Sequence, residues 1–135
     1  MSTDTESSEY MLLFRSTNWD KDLSPRDLQR IMSETMAWFD RIREQGRHKG
    51  AQPLFGEGRI VSGKKGRTVA DGPFAESKEA VAGYLLLAAR DFDEAVEIAR
   101  GWPLLECGGT VEIRPVAPEC PGFVRIREEL SHATA

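Results

Sequence analysis

Histidine, cysteine and long apolar runs are all scarce in this chain, and each scarcity excludes something. His48 and His132, Cys107 and Cys120 are all the histidines and cysteines in 135 residues. They form no Cys-x-x-Cys pair and no cluster with metal-ligand spacing, so neither a zinc site nor a dithiol centre is expected and both thiols read as free. The acidic residues make no recognisable calcium loop. Gly56-Glu57-Gly58 lacks the third glycine, the preceding strand and the following helix of a dinucleotide site, and reads as loop. The expectation is a protein without metal or cofactor. No apolar stretch approaches the ~18 residues of a membrane span. A basic excess is missing too: 18 Lys and Arg stand against 22 Asp and Glu, a formal charge of −4, which is the wrong balance for a partner gripped through phosphates. Neither membrane nor nucleic acid is an expected partner. Residues 1–9 are rich in Ser, Thr and acid, with no basic segment ahead of an apolar run. They read as a disordered tail rather than a signal or transit peptide, and the expected location is the cytoplasm.

What is present is ordinary globular material, 40% hydrophobic and 30% charged. A chain of this length hides roughly two-thirds of its unfolded surface in a single core. Tyr10-Met11-Leu12-Leu13-Phe14 is an apolar run of strand length. Ser24-Pro25-Arg26-Asp27 then places a capping serine, a proline at the first helical position and an acid three residues after the cap, which start a helix. Leu28, Ile31, Met32, Thr35, Phe39 and Ile42 recur at spacings of three and four, the stripe of an amphipathic helix, and Gly46 supplies its stop. Residues 59–62 and 67–70 flank Gly63-Lys64-Lys65-Gly66 as a β-hairpin with lysines at its tip. Residues 83–89, Gly-Tyr-Leu-Leu-Leu-Ala-Ala, read as a strand apolar on both faces. Asp91-Phe92-Asp93-Glu94 caps a second helix that Gly101 and Pro103 end, and residues 110–114 alternate as a half-buried strand before Pro115. Beyond Pro118, residues 124–127 alternate like a strand while residues 127–130 suit a helix.

The fold class is therefore α+β: a ferredoxin-like β-α-β-β-α-β sandwich with an inserted β-hairpin and both helices on one face of an antiparallel sheet. Its domain spans residues 10–118, between the tail 1–9 and a C-terminal extension, 119–135. Strands apolar on both faces leave the helix-free face of the sheet in need of a cover. A second copy of the chain is the simplest one, which gives a homodimer of the dimeric α/β barrel type.

Asp71-Gly72-Pro73-Phe74-Ala75-Glu76-Ser77-Lys78-Glu79 is the one distinctive run. It resembles the signature of the DGPF branch of the YCII-related proteins, and the likeness extends through Gly83-Tyr84, Asp93-Glu94-Ala95 and Val111-Glu112-Ile113-Arg114-Pro115. The resemblance implies a dimeric ferredoxin-like fold, as the pattern does. Two roles stay open for the run. In one, Asp71 opens a turn, Gly72 takes a conformation that a Cβ would obstruct, Pro73 stiffens the chain after it and Phe74 plugs the core. In the other, Asp71 faces a pocket as a proton acceptor or as the orienter of a polar ligand, with Gly72, Pro73, Phe74 and Arg114 around it. Glu112 and Arg114 share a strand face, either as a pocket pair or as a salt bridge.

Relatives thought to be enzymes pair an aspartate at the position of Asp71 with a histidine on the first helix. Here that helix carries Thr35 and Met36, neither of which is a general base. His48 and His132 read as surface residues. The leading expectation is accordingly a small-molecule-binding homodimer without its own chemistry and with a regulatory role, which suits relatives encoded near alternative sigma factors in bacteria. The alternative is a cofactor-free lyase, isomerase or oxygenase with Asp71 as acid or base. If Asp71 only caps the turn, Asp71→Asn is expected to cost about 0.5–2 kcal/mol with ligand binding unchanged; if it is the pocket acid, the expected outcome, binding or turnover collapses while the melting temperature barely moves.

Overall fold

Neighbouring side chains of an extended strand point to opposite faces, and the first apolar run divides accordingly. In the computed structural model, which describes residues 8–16, 18–71 and 80–133, β1 (Ser8–Arg15) buries Tyr10, Leu12 and Phe14 on one face and leaves Met11 and Leu13 half-buried on the other. There follow α1 (Pro25–Glu44), β2 (His48–Pro53), β3 (Arg59–Ser62), β4 (Thr68–Asp71), β5 (Gly83–Ala89), α2 (Phe92–Ala99), β6 (Thr110–Pro115) and α3 (Pro121–Ala133). Short 3₁₀ turns sit at Lys64–Gly66 and Pro103–Cys107.

Four strands form one sheet in the order β2-β5-β1-β6, every pair antiparallel. The chain is thus α+β, compatible with a ferredoxin-like arrangement. Strands β3 and β4 form a separate two-stranded sheet. The second strand of the main sheet is His48–Pro53, which the hydrophobic pattern leaves in a connection. Its sequence, His-Lys-Gly-Ala-Gln-Pro, carries no alternation, and its strand character comes from pairing with β5 across a bulge between His48 and Gly50. Ser8 and Glu9 belong to β1; the rest of the expected N-terminal tail lies outside the described residues.

Helices α1 and α2 start where their caps are encoded. Ser24 Oγ accepts the Asp27 amide at 3.1 Å, and the Asp91 carboxylate accepts the Glu94 amide at 2.8 Å. Helices α1 and α2 cover the face of Tyr10, Leu12, Phe14, Leu85 and Leu87, where Trp38 and Ile42 of α1 and Ala95 and Ala99 of α2 are buried. Trp38 joins the layers. Its ring meets Phe14 and Phe39 edge-on at centroid distances of 6.1 and 5.0 Å, and its Nε1 donates to the Ile98 carbonyl at 3.1 Å. Gly101 makes that approach possible, since a Cβ there would stand 2.9 Å from Trp38 Nε1. Met32, counted in the apolar stripe of α1, is instead 57% exposed; Trp38 takes a place in the core in its stead.

Glu94 ties α2 to the start of β2. Its carboxylate accepts from Arg47 Nη1 at 2.7 Å and from the Arg90 amide at 2.7 Å. These bonds, the Arg47 one foremost, hold its carboxyl below the ordinary value of about 4.5. A depressed folded-state value means that the stabilisation is complete above the unfolded value and is lost as pH falls through the folded one. Glu94→Gln is therefore expected to lower stability by about 1–2 kcal/mol at neutral pH, with the gap to the parent protein closing as pH falls below the ordinary carboxylate value of about 4.5. Urea denaturation across that range measures it; a gap independent of pH would contradict the assignment.

The ambiguous tail is helical. Helix α3 buries none of its residues, and Phe123 and Leu130 are 71% and 62% exposed.

Candidate functional site

Helix α1 ends above the edge of the sheet, and between its last turns and β2 lies a cavity of about 450 Å³. Phe39 and Arg43 line it from α1, His48, Ala51, Gln52 and Pro53 from β2, and Ala82, Gly83 and Tyr84 from the start of β5. Phe14, Ser16, Trp102 and Leu104 complete the lining. Gly83 lets the two strands close this end: a Cβ on it would stand 2.9 Å from the Gln52 carbonyl oxygen and 3.2 Å from Pro53 Cα. The Ala82 amide donates to the Phe14 carbonyl at 2.7 Å, and the Leu54 amide to the Ala82 carbonyl at 2.8 Å, pinning the segment that enters β5. Phe14 stacks obliquely on Trp102 at 4.7 Å and meets Phe39 at 6.2 Å. The result is an aromatic wall with a few polar groups, the usual make-up of a small-molecule site.

His48 lines this cavity as a half-buried strand residue, which corrects its reading as a surface histidine beyond the helix. Its register partner is Leu87, one of the fully buried core residues. No periodicity in β2 points inward, so only the pairing with β5 reveals the placement. His132, on α3, is exposed.

Asp71 ends β4 at the foot of the hairpin. Its side chain is 74% exposed and paired with Arg59 at 3.1 Å, and it is not among the residues lining the cavity between α1 and β2. Gly72, Pro73 and Phe74 lie outside the described residues. Arg114 stands on the sheet face away from α1 and α2, 68% exposed and 3.8 Å from Glu112, whose nearer partner is Arg15 at 2.8 Å. Asp71 and Arg114 are thus placed on different sheets. On α1, Thr35 Oγ1 donates to the Ile31 carbonyl at 2.7 Å and Met36 is 67% exposed.

Both cysteines are free. Burial and the neighbouring Glu106 carboxylate push the Cys107 thiol up, away from the thiolate that nucleophilic chemistry needs. Glu106 itself is held below the ordinary carboxylate range by Arg30, 2.7 Å away, a bond that links α1 to the 3₁₀ turn. Among the described residues no group of three or more His, Cys, Asp or Glu could hold a metal ion, and no helix is long and apolar enough to cross a membrane.

The chain belongs to the YCII-related domain family, whose model matches residues 9–119. That span takes in the whole four-stranded sheet apart from Ser8 and stops before α3. An uncharacterised protein of Rhizobium meliloti, R00369, is 42% identical over 55 residues, which is 40% of this chain and 44% of that protein. The matched stretch is therefore less than half the length of that relative.

Proposed function

We propose that the protein is a small-molecule-binding homodimer, regulatory in role and without chemistry of its own. The cavity between α1 and β2 carries this reading. Its volume of about 450 Å³ lies in the range of sites that enclose small organic ligands, and binding there needs no reacting pair of side chains. The dimer would form through the face opposite the helices, where Met11, Leu13, Tyr84 and Leu86 stand half-buried around the middle of the sheet. Two such faces laid together would make a dimeric α/β barrel. Thermal-shift screening against a metabolite panel tests the ligand-binding part: a ligand at 100 times its Kd adds about 2.7 kcal/mol to the folded state. A panel that raises the melting temperature of no sample would count against it.

The cofactor-free enzyme remains the competing reading, and Asp71 separates the two. An exposed ion pair contributes about 0–1 kcal/mol, so Asp71→Asn is expected to change stability by less than about 1 kcal/mol. If the protein only binds, the affinity for a screening hit stays within about twofold, a free-energy change below ~0.5 kcal/mol. Affinity or turnover that collapses in Asp71→Asn would instead make Asp71 the acid or base of an enzyme.

A further inference from the structure

We infer that the cavity takes a flat aromatic molecule bearing one anionic group, with the ring against Phe14, Phe39 and Trp102 and the anion toward Arg43 and His48. This rests on the reading of the cavity as a ligand site and adds the chemical class of the ligand.

Two observations carry it. The first is the shape and chemistry of the wall. Phe14 forms the centre of a cluster in which Trp102 lies obliquely against it at 4.7 Å and Phe39 meets it nearly edge-on at 6.2 Å. Phe14 and Trp102 are 6% and 5% exposed and Phe39 is half-buried, so a guest meets mainly ring edges, and a planar aromatic guest gains edge-to-face contacts there that an aliphatic guest of equal area does not.

The second is the charge balance of the lining. Among the described residues it contains an arginine and a histidine but neither aspartate nor glutamate. A cationic guest would find no counter-charge there, and a neutral one would leave the arginine unused. Arg43 does have a carboxylate neighbour, Asp40, which accepts from its Nη1 at 2.8 Å. Both side chains are more than half exposed, so that pair contributes little, and the planar guanidinium has further N–H groups for a second oxyanion. The carbonyl end of α1 is the other feature that would repel an anion here. Three of its last carbonyls are already occupied: Arg41 accepts from the Gln45 amide at 3.1 Å, Ile42 from Arg47 at 3.1 Å and Arg43 from Gly46 at 3.0 Å. With those carbonyls paired, the Arg43 guanidinium sets the sign of the cavity mouth.

Calorimetric titration of the 135-residue chain with 2-naphthoate, 2-naphthamide and 2-naphthylmethylammonium tests this, since the three share a ring and differ in charge. The carboxylate is expected to bind at least tenfold more tightly than the amide, and the ammonium more weakly than both. In Arg43→Gln, whose melting temperature serves as the folding control, the affinities for carboxylate and amide are expected to converge. An amide that binds as well as the carboxylate, or an Arg43→Gln protein that keeps the tenfold preference, would overturn the anionic class while leaving the ligand site standing. Binding of none of the three would overturn the site itself.

Discussion

Trp38→Ala is expected to lower the stability of the fold by about 3–5 kcal/mol, the range for removing a large buried aromatic side chain. The ring is 3% exposed and touches elements from three parts of the chain. It packs on Phe14 of β1 and Phe39 of α1, and bonds the Ile98 carbonyl of α2 at 3.1 Å. The surroundings have little freedom to collapse into the gap, because Phe14 is also held by Trp102 and Phe39. Trp38→Phe separates the two contributions. It keeps most of the ring and loses the N–H, and the Ile98 carbonyl retains a second donor, the Gly101 amide at 3.1 Å, so a loss of only about 1–2 kcal/mol is expected. Since a domain of this kind is stable by about 5–15 kcal/mol, the alanine variant should show a plainly lower urea midpoint. A loss below about 1 kcal/mol in Trp38→Ala would mean that the α1–α2 contact does not depend on this ring.

Leu86→Asp is expected to turn a dimer into a monomer. Leu86 lies on the face away from α1 and α2, in register with Met11 on one side and Gly50 on the other, and is half-buried. In a free chain its replacement by a carboxylate leaves the new charge near water, and the cost is small. In a seam between two such faces the same carboxylate would lose its hydration without gaining a partner, and would meet its own copy close to the two-fold axis. Light scattering at micromolar concentration is expected to give twice 15.1 kDa for the parent protein and a single chain for the variant. A parent protein of one-chain mass would sink the dimer, and with it the barrel.

The parts of the fold legible in the sequence are those whose periodicity or punctuation is local. Ser24, Pro25 and Asp27 announce α1, Asp91 and Glu94 announce α2, and the glycines at 63 and 66 announce the β3–β4 connection, where both adopt positive φ. Strand β2 is illegible because nothing within His48–Pro53 says which face is buried; the information sits in β5, whose buried Leu85 and Leu87 pair with Ala51 and His48. Met32 is misassigned to the core for a related reason. A spacing of three or four residues identifies the apolar side of a helix, but how far that side extends into contact depends on where the helix crosses the sheet. The cavity is hidden more completely, since its lining comes from β1, α1, β2, β5 and the segment after α2, none of which carries a motif for it. Asp71, the residue that the signature run singles out, sits instead in an exposed pair on the hairpin.

The sheet order has a consequence for how the chain reaches this structure. The two central strands, β1 and β5, come from opposite halves of the chain, and β1 pairs on its other flank with β6, later still. Among the described residues no two strands of the main sheet are joined by a tight turn, and the short hairpin β3–β4 stands apart from it. Assembly of the sheet therefore waits on closing long loops before any pairing is rewarded, which places the protein among the slower-folding small domains. Leu12 and Leu85 face each other across that first long-range pairing. Truncating either is expected to slow refolding, whereas changes in the hairpin, formed by a separate local closure, are expected to leave the refolding rate alone.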